Sequence, residues 1–335
     1  SPEMNGANVN PHIVEHYDGG DIHLDGDKEV VLSPRDFPEL LKYKGQTLIT
    51  TDGSSLLGAD DKAGVAEIMA VLRTLVTNPE IRHGAVKIGF TPDEEVGHGA
   101  DRFDVAKFGA DLAYTLDGGG LGEFQYESFN AAQAIIHIKG RSVHPGEAKN
   151  KMVNAILIAT ELVGMFPAGE RPEHVEGYEG YFHFFRFNGG VDEVEMYCII
   201  RDFNRAKFER RKALFMQAID YLKASHPACT IQVDLKDQYY NMREKIEPVR
   251  KVIDVALQAM QAVGVKPHVI PIRGGTDGSR ISYMGLPTPN LFTGGHNFHG
   301  RYEYIPVPSM EKAVEVAIKI LEIFASPNPK GLGDL

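Results

Sequence analysis

The chain has 335 residues, more than one domain usually holds, and its 43% hydrophobic and 24% charged content is that of a globular protein. A net charge of −11, with no dense Lys/Arg block and no aromatic–basic interleaving, argues against a nucleic-acid partner. No apolar run is long enough to span a bilayer and no secretory signal opens the chain, so no membrane partner and a cytoplasmic location are expected.

The opening, SPEMNGANVNPHIVEHYDGGDI, has no initiator methionine and no recognisable first element, which reads as a cleaved or truncated N-terminus. Residues 46–51, QTLITT, read as a strand before the tight-turn pair Asp52-Gly53. From Asp60 the period becomes helical, with Val65, Ile68, Met69 and Leu72 at i, i+3, i+4 and i+7 on one apolar stripe. The run at 85–91 reads as a buried strand that delivers Asp93, Glu94 and Glu95 where it leaves the core. A helical stretch follows, then a strand at 112–116, LAYTL, ending at Asp117-Gly118-Gly119-Gly120. This alternation predicts an α/β fold, a mostly parallel sheet flanked by helices. In such sheets functional residues gather beyond the carboxyl ends of strands, where Asp93–Glu95 and Asp117 fall.

Between about 129 and 243 the rhythm changes to strand 131–140, helix 152–165, strands 180–187 and 194–203, helix 204–225 and strand 230–235. That order is β-α-β-β-α-β, a ferredoxin-like unit inserted into the α/β layer, its second helix amphipathic through Phe215, Ala218, Ile219 and Leu222. Residues 1–128 and 244–335 are therefore expected to form one discontinuous catalytic, metal-binding domain. Residues 129–243 are expected to form an inserted lid or dimerisation domain. Cys198 and Cys229 lie in strand-like segments without metal-ligand spacing and read as buried thiols, a single disulfide being the alternative. Beyond 243 come a helix at 247–263, a strand at 268–272, the loop RGGTDG, a strand in PNLFTGG and a helix from Ser309, as N-cap, to about Phe324. The tail SPNPKGLGDL reads as frayed.

Acidic and imidazole groups stand at element ends in the outer domain: Asp60, Glu94 and Glu95, Asp117 and His299. Each has a plain structural alternative. Asp60 and Asp61 suit a helix start, where they cap and meet the helix dipole. Asp117 suits a turn. His296 and His299 are three apart, but the glycines and Asn297 around them argue for a loop rather than a helical pair. What favours a metal is the recurrence of carboxylates beside glycines at three separate element ends, with three consecutive glycines leaving space beside Asp117. A ligand set of Asp, Glu and His without Cys suits Zn²⁺, Mn²⁺ or Co²⁺.

Together LLGADDKAG, FTPDEEVG, YTLDGGG, SVHPG, YYNMRE, PIRGGTDG, PNLFTGG and HNFHG resemble a family of dinuclear zinc aminopeptidases, dipeptidases and amidohydrolases, over essentially the whole chain. TPDEEVG with DGGG and IRGGTDG narrows the resemblance to its tripeptide aminopeptidases. The resemblance implies two divalent ions, zinc first, with cobalt or manganese as alternatives. Asp60 would bridge them, with an unusual peptide geometry after it; Glu95, Asp117 and His299 would complete the ligands; Glu94 would be the general base. In the inserted domain His144 of SVHPG would polarise the scissile carbonyl, in related dimers across the subunit interface, and Arg201 would anchor the substrate carboxylate. Tripeptides would be the substrates, and a homodimer through the inserted domain the assembly. Asp93 is expected to be a turn residue.

One part of the pattern is missing. The family carries His-x-Asp at a strand end, ahead of a Ser-Pro stretch, whereas this chain begins at Ser1-Pro2 and His12, His16 and His23 lie in a loop-like segment. The expectation is a fragment cut just after that motif, lacking the first strands of the sheet. Three readings stand: a tripeptide aminopeptidase, a truncated or impaired non-enzymatic chain, and a related dipeptidase or amidohydrolase.

Overall fold

The computed structural model describes residues 4–24 and 30–326, so Ser1-Pro2 and all of the tail after Ser326 lie outside the described residues. In chain order the strands are β1 (Pro11–Val14), β2 (Ile22–His23), β3 (Val31–Leu32), β4 (Leu48–Thr51), β5 (Thr115–Gly118), β6 (Glu123–Gln125), β7 (Asn130–Lys139), β8 (Tyr181–Gly189), β9 (Glu193–Asp202), β10 (Thr230–Tyr239), β11 (His268–Val269), β12 (Asn290–Phe292) and β13 (Tyr304–Pro306). The helices are α1 (Ala59–Thr77), α2 (Val105–Phe108), α3 (Ala155–Gly164), α4 (Arg205–Ser225), α5 (Arg243–Ile246), α6 (Arg250–Ala262), α7 (Asp277–Tyr283) and α8 (Val307–Phe324). They divide into two units: Ser1–Tyr126, Met242–Ile270 and Thr276–Leu335 in the first, Glu127–Asn241 and Pro271–Gly275 in the second.

The second unit has the β-α-β-β-α-β order its periodicity predicts, folded into one antiparallel sheet of order β10-β7-β9-β8. Alternate residues of β7 and β9, Ala132 to Ile138 and Val194 to Ile200, turn inward and meet Phe208, Phe215, Ile219 and Leu222 of α4. Each such large apolar side chain contributes roughly 1.5–3 kcal/mol when fully buried. Both long helices start on an asparagine: Asn154 accepts from the Ile156 N–H and Asn204 from the Lys207 N–H. Cys198 and Cys229 are free thiols, and burial pushes Cys198 up to about 12.

Among the described residues the first unit holds three sheets, the smallest being the antiparallel pair β2–β3. In one, β4 lies between β1 and β13, all antiparallel, over a core of Tyr17, Leu24, Leu32, Leu40, Leu48 and Tyr304. Another has the order β11-β6-β12-β5, with β12–β5 and β11–β6 parallel and β12–β6 antiparallel. Gly64 brings α1 against this sheet, because a Cβ there would collide with the Leu116 carbonyl and the Asp61 carboxylate.

Several sequence expectations shift here. Residues 85–91 pair with no strand among the described residues; Val86 and Ile88 instead border a cavity of about 260 Å³ that Leu112 and Tyr114 line from another side. Apolar patterning gives a segment one face to bury, but a strand also needs a hydrogen-bonding neighbour. The predicted stripe of α1 is displaced as well. Ala63, Gly64, Glu67, Val71 and Leu75 are buried, while Val65 and Met69 are exposed and Ile68 and Leu72 line the cavity. The strand predicted at 112–116 is found at Thr115–Gly118, so Asp117 stands within β5 rather than past its end. Only His268–Val269 of 268–272 is strand, since 271–275 belong to the second unit. The last helix starts at Val307 after Pro306, which leaves Ser309 buried inside α8 and not capping it.

Candidate metal centre

The turn entering α1 carries two adjacent aspartates on distorted backbone. Gly58 is left-handed (φ 68°), Asp60 (φ −82°, ψ 103°) and Asp61 (φ −122°, ψ 36°) depart from helical values, and the peptide bond between them is cis. Gly58 has no side chain with which to cap the helix. The Glu303 carboxylate does it instead, accepting from the Gly58 N–H at 2.7 Å and the Asp60 N–H at 3.0 Å.

Glu94 and Glu95 lie in a short 3₁₀ turn, Glu94–Val96, held between Asp93 (φ 64°) and Gly97 (φ 76°), both left-handed. Asp93 takes up the φ that Asp and Asn tolerate better than most residues, and its carbonyl accepts from the His98 N–H at 3.0 Å. The two glutamates therefore stand on a 3₁₀ turn and not at the end of a strand. His299 (φ 67°) stands in a loop closed by the His296–Tyr304 bridge and braced by Asn297, whose Nδ2 donates to the Tyr302 carbonyl at 3.1 Å. His296 points elsewhere. It is stacked on Tyr304, its Nε2 is 2.6 Å from the Tyr43 hydroxyl, and burial lowers it to about 4.

These elements converge on two groups of ligand atoms that share one residue. Asp60, Glu95 and His299 place ligand atoms within 4.8 Å of one another, and so do Asp60, Asp61 and Asp117. In the first group His299 Nε2 lies 3.0 Å from Asp60 Oδ2 and 3.2 Å from Glu95 Oε2. The second group is carboxylate only, with Thr276 Oγ1 donating to Asp117 Oδ2 at 3.3 Å. Burial, then Asp60, raises Asp61 to about 8; burial, then Asp61, holds Asp117 well above the ordinary range. Glu94 belongs to neither group, and burial followed by Asp277 and Glu95 raises it to about 7. Clustered, half-buried carboxylates with one imidazole and no thiolate fit a divalent cation, which relieves the repulsion among them.

The other predicted residues sit in the second unit. His144 is exposed, and its Nδ1 accepts from the Gly146 N–H at 3.1 Å. Arg201 is buried; its NH1 donates to the Ala132 and Ile200 carbonyls, its NH2 to Gln238 Oε1, and its guanidinium lies over the Tyr239 ring. His12 and His23 fall in β1 and β2, and neither they nor His16 join a ligand group among the described residues. The glycine run after Asp117 leaves no free space. A Cβ on Gly118 would strike the Leu291 carbonyl, on Gly119 the Glu123 carboxylate, on Gly120 the His296 ring.

Three residues escaped the sequence reading. Asp61 was legible only as half of a capping pair, and Asp277 only as a letter in RGGTDG. Asp277 is buried with Oδ2 unpartnered among the described residues, and it raises Glu94. Nothing in the sequence singled out Glu303.

Similarity to known proteins bears on the family and the fold. Residues 52–323 match the model of peptidase family M20/M25/M40. The chain is 59% identical over 325 residues to Peptidase T of Clostridium acetobutylicum and 60% over 326 residues to that of Halothermothrix orenii, each time covering 97% of this chain and 80% of the relative. Among solved structures, aminopeptidase PepT of Bacillus cereus is similar with a TM-score of 0.72 at 30% identity, covering 82% of this chain and 74% of that one. A Staphylococcus aureus tripeptidase gives a TM-score of 0.73 at 26% identity, covering 83% and 74%.

Proposed function

Because this chain belongs to peptidase family M20/M25/M40, we propose how its residues carry out the metal-dependent release of the N-terminal residue from tripeptides. The observation that carries the reading is the pair of ligand groups meeting at Asp60, with Glu94 beside them and outside both. Asp60 would be shared by two divalent ions, Glu95 and His299 serving one, Asp117 the other with Asp61 within reach. Zinc suits this donor set, with cobalt or manganese as substitutes. Bound there, such ions supply Lewis-acid polarisation of a carbonyl and acidify water towards roughly pKa 7.

The rest falls to side chains. Glu94, not engaged as a ligand, accepts the proton of the attacking water at a carboxylate oxygen and returns it to the leaving amine. His144 is the proposed oxyanion donor: its Nδ1 accepts from the Gly146 N–H, so the neutral ring carries its proton on Nε2, the atom that would face a substrate oxygen. Arg201 is the proposed carboxylate anchor, its planar guanidinium held in place by Ala132, Ile200 and Gln238 and suited to binding a carboxylate. A homodimer through the second unit and a cytoplasmic location complete the reading, the free thiols of Cys198 and Cys229 suiting a reducing compartment.

The test is a panel of di-, tri- and tetrapeptides with Zn²⁺ or Co²⁺, run on the wild type and on Glu94→Ala. Tripeptides should be cleaved preferentially, and Glu94→Ala should keep its metal while kcat falls about 10²–10⁴-fold. Preference for dipeptides, or wild-type turnover by Glu94→Ala, would overturn the substrate class or the base assignment respectively.

A further inference from the structure

We infer that Glu303 is a positioning residue that sets the metal affinity of this site by fixing the backbone on which Asp60 stands, an inference that rests on the metallopeptidase reading above. Glu303 is only 1% exposed, just ahead of β13, and belongs to neither ligand group. Both of its oxygens are spent on the turn that enters α1, Oε2 on the Gly58 N–H and Oε1 on the Asp60 N–H.

The first amides of a helix lack intrahelical partners and ordinarily take a Ser, Thr, Asp or Asn side chain from the N-cap. Here the N-cap is Gly58, and the next two carboxylates along the chain, Asp60 and Asp61, are turned to the ligand groups. A local cap would compete with that use. A carboxylate brought from position 303 holds the Gly58 and Asp60 amides and leaves the Asp60 carboxylate for metal, while Asp61 Oδ1 accepts from the Gly64 N–H at 3.2 Å.

The same loop also carries His299. It is closed by the His296–Tyr304 bridge, and the Glu303 N–H donates to the Gly300 carbonyl at 3.3 Å within it. One segment thus presents an imidazole 3.0 Å from the Asp60 carboxylate and grips the Asp60 amide as well. Asp60 and His299, two of the three ligands of the His-bearing group, are located relative to each other by Glu303, not merely by general packing. An acid suits this place because the two N–H donors meet two different oxygens of one side chain. Glutamine offers one and turns its NH₂ toward the second amide.

Glu303→Gln is expected to weaken Co²⁺ binding about 10- to 100-fold in chelator competition and to change the Co²⁺ d–d absorption envelope. Glu303→Asp, which keeps two acceptor oxygens, should recover part of that affinity. Ile305→Val, a packing change two residues further on in β13, should lower the thermal midpoint and leave Co²⁺ affinity where it was. The inference is overturned if Glu303→Gln binds Co²⁺ within twofold of the wild type, or if Ile305→Val weakens binding as much. A wild-type chain that takes up no Co²⁺ would instead overturn the metallopeptidase reading. In that case amide exchange at Gly58 and Asp60 still decides the clamp: faster exchange in Glu303→Gln upholds it, unchanged exchange removes it.

Discussion

The two ligand groups share Asp60 but handle charge in opposite ways. In one, His299 stands between Asp60 and Glu95 and gives the carboxylates a hydrogen-bonding partner from the protein itself. In the other, Asp60, Asp61 and Asp117 face one another with the Thr276 hydroxyl on Asp117 and the Gly64 N–H on Asp61, and burial, then the neighbouring carboxylates, drives Asp61 and Asp117 up. A further buried acid, Glu67, stands behind that group and feels Asp61. The contrast teaches that the first group carries an imidazole partner of its own, whereas the carboxylate-only group has the more to gain from a cation at Asp61 and Asp117.

Removing the shared residue should have the largest effect. Asp60→Ala takes a ligand from both groups at once, so metal analysis of the purified protein should find neither ion retained and turnover at background. Full occupancy in that variant would break the comparison at its root, since Asp60 would then not be common to the two groups. Asp61→Asn is the sharper, smaller cut. It alters only the carboxylate group, so a Co²⁺ titration should become biphasic, one phase weakened about 10- to 100-fold and the His299 phase unchanged. A uniform shift of both phases would mean that the groups are not separable.

How much of this was readable beforehand depends on what each residue needs from elsewhere in the chain. The second unit was legible almost element by element, because its strands alternate cleanly and each pairs with a strand visible in the same stretch. Residues 85–91 carry as strong an apolar signal, yet they pair with nothing among the described residues, because pairing is a property of a neighbour and not of the segment. Asp60, Glu95, Asp117 and His299 were found since each stands beside glycine or at an element end. Asp61 and Asp277 were hidden inside motifs that an ordinary cap or loop explains as well. Glu303 was invisible in principle: its partners, Gly58 and Asp60, lie some 240 positions earlier and bind it through backbone amides that every residue possesses. The same limit explains the displaced stripe of α1, where hydrophobicity chose Val65 and Met69 and the fold buried Glu67.

Glu67 gives the smallest effect and the most specific sign. It is 1% exposed, and neither carboxylate oxygen has a hydrogen-bond partner among the described residues. Burial, then Asp61, raises it from 4.5 to about 10. The folded chain therefore keeps a proton that the unfolded chain releases near 4.5, so the stability this group contributes is complete below that pH and drains away as the pH climbs towards 10. Glu67→Gln cannot titrate and should flatten that decline. In urea titrations of the metal-free protein, the variant should gain about 1–3 kcal/mol on the wild type at pH 8 and little at pH 5. A gain that is the same at both values would show that Glu67 is merely a poor fit and carries no proton. A gain that vanishes once metal is bound would show that the cation, by discharging Asp61, has already relieved the buried acid behind it.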